Sequence, residues 1–339
     1  MTLQRSPRRE RRNAVRPTIR LDLVHNPFGP CPAVIEAIET WLESPPGSLA
    51  ATFRRRLGEI YHVPAESIHL LSSVDAGIRH IVNRHTGPLV VFPPSAPASF
   101  VAERAPVCDP VTIARGPALD AGIGPEFTAD LPDHGLAIVD SPSNPLGSIL
   151  SAADLVRLSR ACACVVVDER FAEYSAFSLL PLTRELDNVV VMRSFEPWSG
   201  LGEVSCAWAV ASPRLANSLG FSREAVSPVA IAGGMATLQN HASVAATLTL
   251  IREERSRLYR FLRKLSYLEP LPSWAPFLTA RVAISSRQDL ITGLARRGIR
   301  VHAPPEPGLE QFVRIGIASR TAMDGLRAAL LELGPELVC

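Results

Sequence analysis

The sequence predicts an α/β fold, and three observations predict it. Short apolar runs alternate with segments of helical spacing from residue 19 to residue 335. Runs such as Val189-Val190-Val191-Met192 are continuously apolar and stop at a polar turn, as buried strands do. The 339 residues, 47% of them hydrophobic, suffice for one or two large domains.

In chain order, IRLDL at 19–23 precedes the first motif. HNPFGPCP at 25–32 leads into a helix over 33–42. Pro32 suits the first turn of that helix, where its missing N–H would have no partner anyway. SPPGS at 44–48 is a loop, followed by a helix over 49–61. SSVDAG at 72–77 opens a helix over 76–83, and 89–92 is a short strand before the Pro-rich loop 93–99. A strand over 135–140 runs into SPSNPLG at 141–147. A helix over 152–161 and a strand over 162–167 follow, the strand ending at Asp168-Glu169. Strand 189–192 enters a polar turn, and a Gly-Leu-Gly step at 200–202 precedes a second strand over 206–210. Residues 228–264 read as one long helical region. The last part alternates: strands over 277–283, 298–301 and 312–318, helices over 288–297 and 322–333.

Net charge is +2, which favours no particular partner. Arg5, Arg8, Arg9, Arg11, Arg12, Arg16 and Arg20 crowd the start, and residues 1–18 read as a basic, solvated, disordered tail. No apolar run is long enough to span a membrane. Neither a membrane nor a nucleic-acid partner is expected. Cys162 and Cys164 lie two apart entering an apolar run, which in a strand puts both on one face. The scattered cysteines lack metal-site spacing and read as buried free thiols in a reducing cytoplasm, with no metal. Of 35 basic residues, Lys264 is the only lysine, which leaves 34 arginines. A permanently protonated arginine cannot supply the free amine that imine chemistry needs.

Residues 188–210, NVVVMRSFEPWSGLGEVSCAWAV, resemble the lysine loop of fold-type I pyridoxal-phosphate enzymes. The nearest group is histidinol-phosphate aminotransferase, with the pattern R-T-F-S-K-A-F-G-L-A-G-L-R-x-G-Y. Arg193, Phe195, Gly200 and Leu201 match it. HNPFGPCP is similar to N-E-N-P-x-G-P-x-P, SSVDAG to N-G-S-D-E-G, SPSNPLG to P-N-N-P-T-G, DERF at 168–171 to D-E-A-Y, and FVRIGIA at 312–318 to L-R-I-T-I-G. The order and gaps agree over 19–335. The resemblance implies a large domain with a mixed, mostly parallel sheet and a smaller C-terminal α+β domain. It puts the N-terminal segment and large domain at 19–240 and the small domain at 241–339. It also implies pyridoxal 5′-phosphate as cofactor, and a homodimer, or a heterodimer with an active paralogue.

Carried over residue by residue, the resemblance implies that Asp168 meets the cofactor's ring nitrogen and Asn144 its ring oxygen. It places Ser73 and Val74 at the phosphate, Arg314 on a substrate carboxylate, and Asn26 and Gly29 in the segment lining the substrate site. Departures are concentrated at the cofactor. The lysine position is Pro197 and the phosphate serine is Glu196. The phosphate arginine is Ser205, the ring-stacking aromatic is Ala96, and the tyrosines are Ser44 and Phe171. A carboxylate at 196 about 4 Å from a doubly charged phosphate would be repelled by about 8 kcal/mol at an effective dielectric near 20.

Simpler roles compete: a loop aspartate can cap a helix, Asn144 can brace its own turn, and His25, His302 and Trp198 can be packing residues. Arg314 lies in an apolar strand and needs an anion, either a ligand carboxylate or a protein acid. Lys264, on a charged helix, reads as solvated surface. Three functions stay open: a non-transaminating member that binds a small amino or keto acid carboxylate; an enzyme using the pocket with Glu196 or a histidine as acid–base group; and an ordinary pyridoxal-phosphate aminotransferase or decarboxylase of amino-acid metabolism.

Overall fold

The computed structural model describes residues 18–43, 49–97, 101, 111–112, 131–132, 134–202, 204–221 and 226–338. Its strands are β1 (Ile19–Leu21), β2 (Ile68–Leu71), β3 (Leu89–Val91), β4 (Val111–Thr112), β5 (Leu136–Asp140) and β6 (Cys164–Asp168). They continue with β7 (Val189–Ser194), β8 (Ala207–Val210), β9 (Leu268–Pro270), β10 (Phe277–Val282), β11 (Ile299–Val301) and β12 (Phe312–Gly316).

Seven strands form the main sheet in the order β2-β8-β7-β6-β5-β3-β4. It is parallel except for β8, which runs antiparallel to β2 and β7. Every residue of β5, β6 and β7 is buried. Such strands have no solvent face, which is why they read as continuous apolar runs rather than alternating ones. Their side chains divide between two cores. Val165, Val167, Val189 and Val191 pack on one face with Trp208, and Val166, Val190 and Met192 pack on the other with Ile78 and Ile81.

The cysteine pair departs from expectation. Cys162 is the cap residue that ends helix Ala152–Ala161, and β6 starts only at Cys164. Cys162 therefore joins the core of Val165 and Val167, while Cys164 faces the opposite core. Burial raises the Cys162 thiol to about 11 and that of Cys164 to about 12, which suits inert structural thiols.

The long helical region 228–264 is two helices, Pro228–Gln239 and His241–Leu262. Asn240 breaks it, with its side chain donating to the Ala236 carbonyl instead of facing solvent.

β10 is central in a second, antiparallel sheet of three strands, between β12 and β9. β1 pairs in parallel with β11, so the N-terminal segment is bound to the C-terminal part of the chain. The two parts meet at the turn after β5. Thr279 of β10 donates to the Pro145 carbonyl, and the Trp274 N–H donates to the Gly147 carbonyl at 2.7 Å. Across the main sheet, Asp140 is in register with Asp168, and Asp168 with Met192. The carboxyl ends of β5, β6 and β7 thus share one edge, where a parallel sheet places its ligand crevice.

Candidate functional site

Asp168 closes β6 and is 2% exposed. Its carboxylate already has a cation. Arg170 Nε lies 3.0 Å from Oδ1 and 2.8 Å from Oδ2, and the Arg170 main-chain N–H donates to Oδ1 at 3.0 Å. The same guanidinium reaches on through Nη2 to Asp75 Oδ1, at 2.5 Å. Asp75 lies in the first turn of helix Val74–Arg84, which starts two residues earlier than the expected Ala76. Ser73 is the cap of that helix, and its hydroxyl accepts the Ala76 N–H at 3.0 Å. One of the free N–H groups expected to cradle a phosphate is therefore already paired. Val74 is buried.

At the end of β7, Arg193 is buried between two acids. Nη2 donates to Glu173 at 2.5 Å, and Nη1 lies 3.8 Å from Glu169. Its guanidinium also sits 4.8 Å from the Tyr61 ring centre. Burial pushes Glu169 above the usual carboxylate range, against the pull of Arg193. The polar turn expected after β7 is a short helix, Glu196–Ser199. Glu196 takes a short hydrogen bond from the Ser194 hydroxyl rather than pairing with Arg193. Pro197 is buried, and its carbonyl accepts the Tyr174 hydroxyl at 2.5 Å. Trp198 is also buried and donates from its ring to the Ser194 carbonyl.

The N-terminal segment closes over this turn. Asn26 Nδ2 donates to the Trp198 carbonyl at 2.9 Å, and Asn26 Oδ1 accepts the Phe28 N–H at 3.0 Å. Gly200, at φ +83°, lies directly on the Gly29–Pro30 backbone. Gly29 itself has φ +72°. The one lysine, Lys264, is exposed in a turn just past helix His241–Leu262, not on a helix.

Arg314, on β12, is 8% exposed. Nη1 donates to Asn144 Oδ1 at 2.6 Å, Nη2 donates to the Asp22 carbonyl at 3.0 Å, and the guanidinium lies 5.4 Å from the Phe277 ring centre. Nε is buried without a hydrogen-bond partner. The expected anion is thus not a carboxylate hydrogen-bonded to Arg314 among the described residues. Burial lowers this guanidinium to about 10, with Glu306 and Asp22 pulling the other way. Asn144 is held in turn by Asp140, whose Oδ2 accepts the Asn144 N–H at 2.7 Å. The site unites the end of β5, the end of β6 and β12.

His302 exchanges two main-chain hydrogen bonds with Arg314. Burial, reinforced by Arg314, lowers its ring from 6.5 to about 4. A base depressed in the folded state binds fewer protons there than in the unfolded chain. Its contribution therefore becomes unfavourable as pH falls from about 6.5 towards 4. Urea titrations of His302→Asn are expected to lose less stability than wild type over that window. His25 is exposed and does not pack as expected.

Ala96 donates its N–H to the Asn144 carbonyl at 2.7 Å, Phe171 packs edge-on against Phe277, and Ser205 is exposed. Ser44 and residues 1–17 of the basic tail lie outside the described residues. Arg170 and Asp75 are functional candidates that sequence reasoning missed. The signal was available: an arginine where D-E-A-Y has alanine, two residues after a buried aspartate. Among the described residues no cluster of His, Cys, Asp and Glu could hold a metal, and no helix is long and apolar enough to cross a membrane.

Comparison with known proteins agrees with this fold. The chain is 27% identical over 326 residues to histidinol-phosphate aminotransferase of Dehalococcoides mccartyi, covering 93% of this chain and 90% of that protein. The histidinol-phosphate aminotransferase of Sinorhizobium meliloti, solved in complex with pyridoxal-5′-phosphate, superposes with a TM-score of 0.76 at 23% identity, over 94% of this chain and 91% of that one. The L-threonine-O-3-phosphate decarboxylase of Porphyromonas gingivalis superposes with a TM-score of 0.79 at 17% identity, over 93% of this chain and 98% of that one. Both likenesses are of fold. By family resemblance the cofactor of this fold is pyridoxal 5′-phosphate. The family model for aminotransferase class I and II matches residues 126–330, and the chain belongs to that family.

Proposed function

We propose that this chain is a member of the aminotransferase family that does not transaminate and instead binds a small amino or keto acid by its carboxylate. A single observation carries the first half. The chain has one lysine, and it stands exposed beyond helix His241–Leu262, while the turn after β7 presents Pro197. No other side chain can form the imine by which these enzymes hold and use their cofactor. The residues at the crevice do not fit pyridoxal 5′-phosphate in other respects. Asp168 is paired within the chain, Glu196 brings negative charge towards the phosphate end, and Ala96 offers no ring to stack on.

Arg314 supports the second half. Its hydrogen-bond partners are neutral, and Nε is left unpaired, which is costly for a buried guanidinium. A ligand carboxylate would satisfy it, with Asn26 and Gly29 closing the crevice from the N-terminal segment. The protein would act as a cytoplasmic dimer, either with itself or with an active paralogue.

The test is twofold. Borohydride reduction after incubation with pyridoxal phosphate, followed by peptide mapping, is expected to yield no stoichiometric pyridoxyl-lysine, and Pro197→Lys alone is expected to yield no transamination. Thermal-shift titration with amino and keto acids is expected to stabilise wild type and leave Arg314→Ala unmoved. If no carboxylate shifts the wild type, Arg314 is structural and the binding function is wrong. Measurable turnover by wild type would refute the first half.

A further inference from the structure

The crevice carries a side chain that neither the family pattern nor the carboxylate site accounts for. Arg170 stands between the two places where the resemblance puts the ends of the cofactor. At one end Nε and the main-chain N–H hold both oxygens of Asp168, and at the other Nη2 holds Asp75 in the first turn of helix Val74–Arg84. Asp168 is almost fully buried, and a carboxylate in that position must be either neutralised or protonated. A guanidinium neutralises it at every workable pH, because arginine does not release its proton. Its planar fork also matches a carboxylate along two N–H directions, which a single ring N–H cannot do.

We propose that Arg170 is a built-in substitute for the cationic ring of the cofactor, supplying Asp168 with its partner and barring pyridoxal-type ligands from the crevice. This deepens the proposed function and rests on its assignment of Asp168, but not on ligand binding at Arg314. Three consequences follow from the geometry. Asp168 is compensated by Arg170 within the chain, so this carboxylate does not depend on a cofactor for its charge balance. The bridge to Asp75 ties β6 to the start of helix Val74–Arg84 across 95 residues of sequence, holding the crevice floor in one arrangement. Any pyridine ring seeking Asp168 must first displace a bidentate ion pair, which costs its whole affinity for that carboxylate.

The experiment uses the full chain and pyridoxamine 5′-phosphate, which has no aldehyde and so cannot label Lys264 covalently. Wild type, Arg170→Ala and the double variant Asp168→Asn/Arg170→Ala are compared for melting temperature and for uptake of the probe in equilibrium dialysis. The single variant leaves Asp168 buried without a partner, so it is expected to melt several degrees below wild type. The double variant removes both charges and is expected to recover most of that loss. The single variant is expected to take up the probe at least about tenfold more tightly than wild type, since its Asp168 is free to meet the ring. Arg170→Gln, which removes the charge and keeps an N–H donor, carries the binding comparison if Arg170→Ala does not fold; folding of the double variant alone then counts as recovery. A double variant no more stable than the single, or equal probe uptake by wild type and single variant, overturns the proposal. Carboxylate binding at Arg314 is measured with different ligands, so failure of one leaves the other intact.

Discussion

Arg193→Ala is expected to destabilise the fold by about 3–5 kcal/mol, the usual cost of stripping one partner from a buried ion pair. Arg193 is 6% exposed and is shared by Glu169 and Glu173, while Tyr61 donates to Glu173 at 2.9 Å beneath it. Removing the guanidinium leaves Glu169, which is fully buried, with only the Ser178 hydroxyl and the Leu179 N–H. The loss should depend on pH in a definite direction. Glu169 already titrates above its unfolded value because of burial, and Arg193 is the first influence that lowers it. Without Arg193 it rises further, so the folded variant holds a proton that the unfolded chain has released. Stability carried by that proton is present in acid and lost as pH rises through the folded value. Urea unfolding should therefore show the gap between wild type and variant narrowing as pH drops from neutral towards the ordinary carboxylate range. A gap independent of pH would place the loss in the packing against Tyr61 and Trp208 instead.

Gly200→Ala is expected to cost about 3 kcal/mol, from left-handed backbone strain of about 1–2 kcal/mol plus an overpacking cost of similar size. Gly200 has φ +83°, and a Cβ there would lie 2.1 Å from the Gly29 carbonyl carbon and 2.4 Å from the Pro30 nitrogen. Those are backbone atoms and cannot rotate aside. The N-terminal segment must lift off, breaking the hydrogen bond from Asn26 to the Trp198 carbonyl. A fall in melting temperature with faster proteolysis around residues 25–31 would show this. Gly202→Ala is the control: it shares a positive φ, yet its Cβ would meet nothing within 4 Å, so only the strain remains. Equal losses in the two variants would mean that the contact with Gly29 contributes nothing.

Much of the fold was legible because its signals are local. β5, β6 and β7 are strands whose every residue is buried, and a run such as Val189-Val190-Val191-Met192 declares that without reference to distant residues. Helix Ala152–Ala161 is announced by Ser151 and Asp154, which form a reciprocal cap within four residues. The single lysine is a count and needs no coordinates at all. Taken together these determined the α/β class, the order of the motif-bearing turns and the presence of a single lysine, at position 264. Tertiary structure alone decided which charges meet. Arg170 finds Asp75 across 95 residues, and Arg314 finds Asn144 across 170 and the Asp22 carbonyl across 292. It also decided that Cys162 and Cys164 face different cores, because Cys162 caps the preceding helix and β6 starts two residues later than the apolar pattern suggests. Periodicity reports which side of its own element a residue occupies. The partner of a buried charge is set by how the elements are placed in space, and no spacing along the chain encodes that placement.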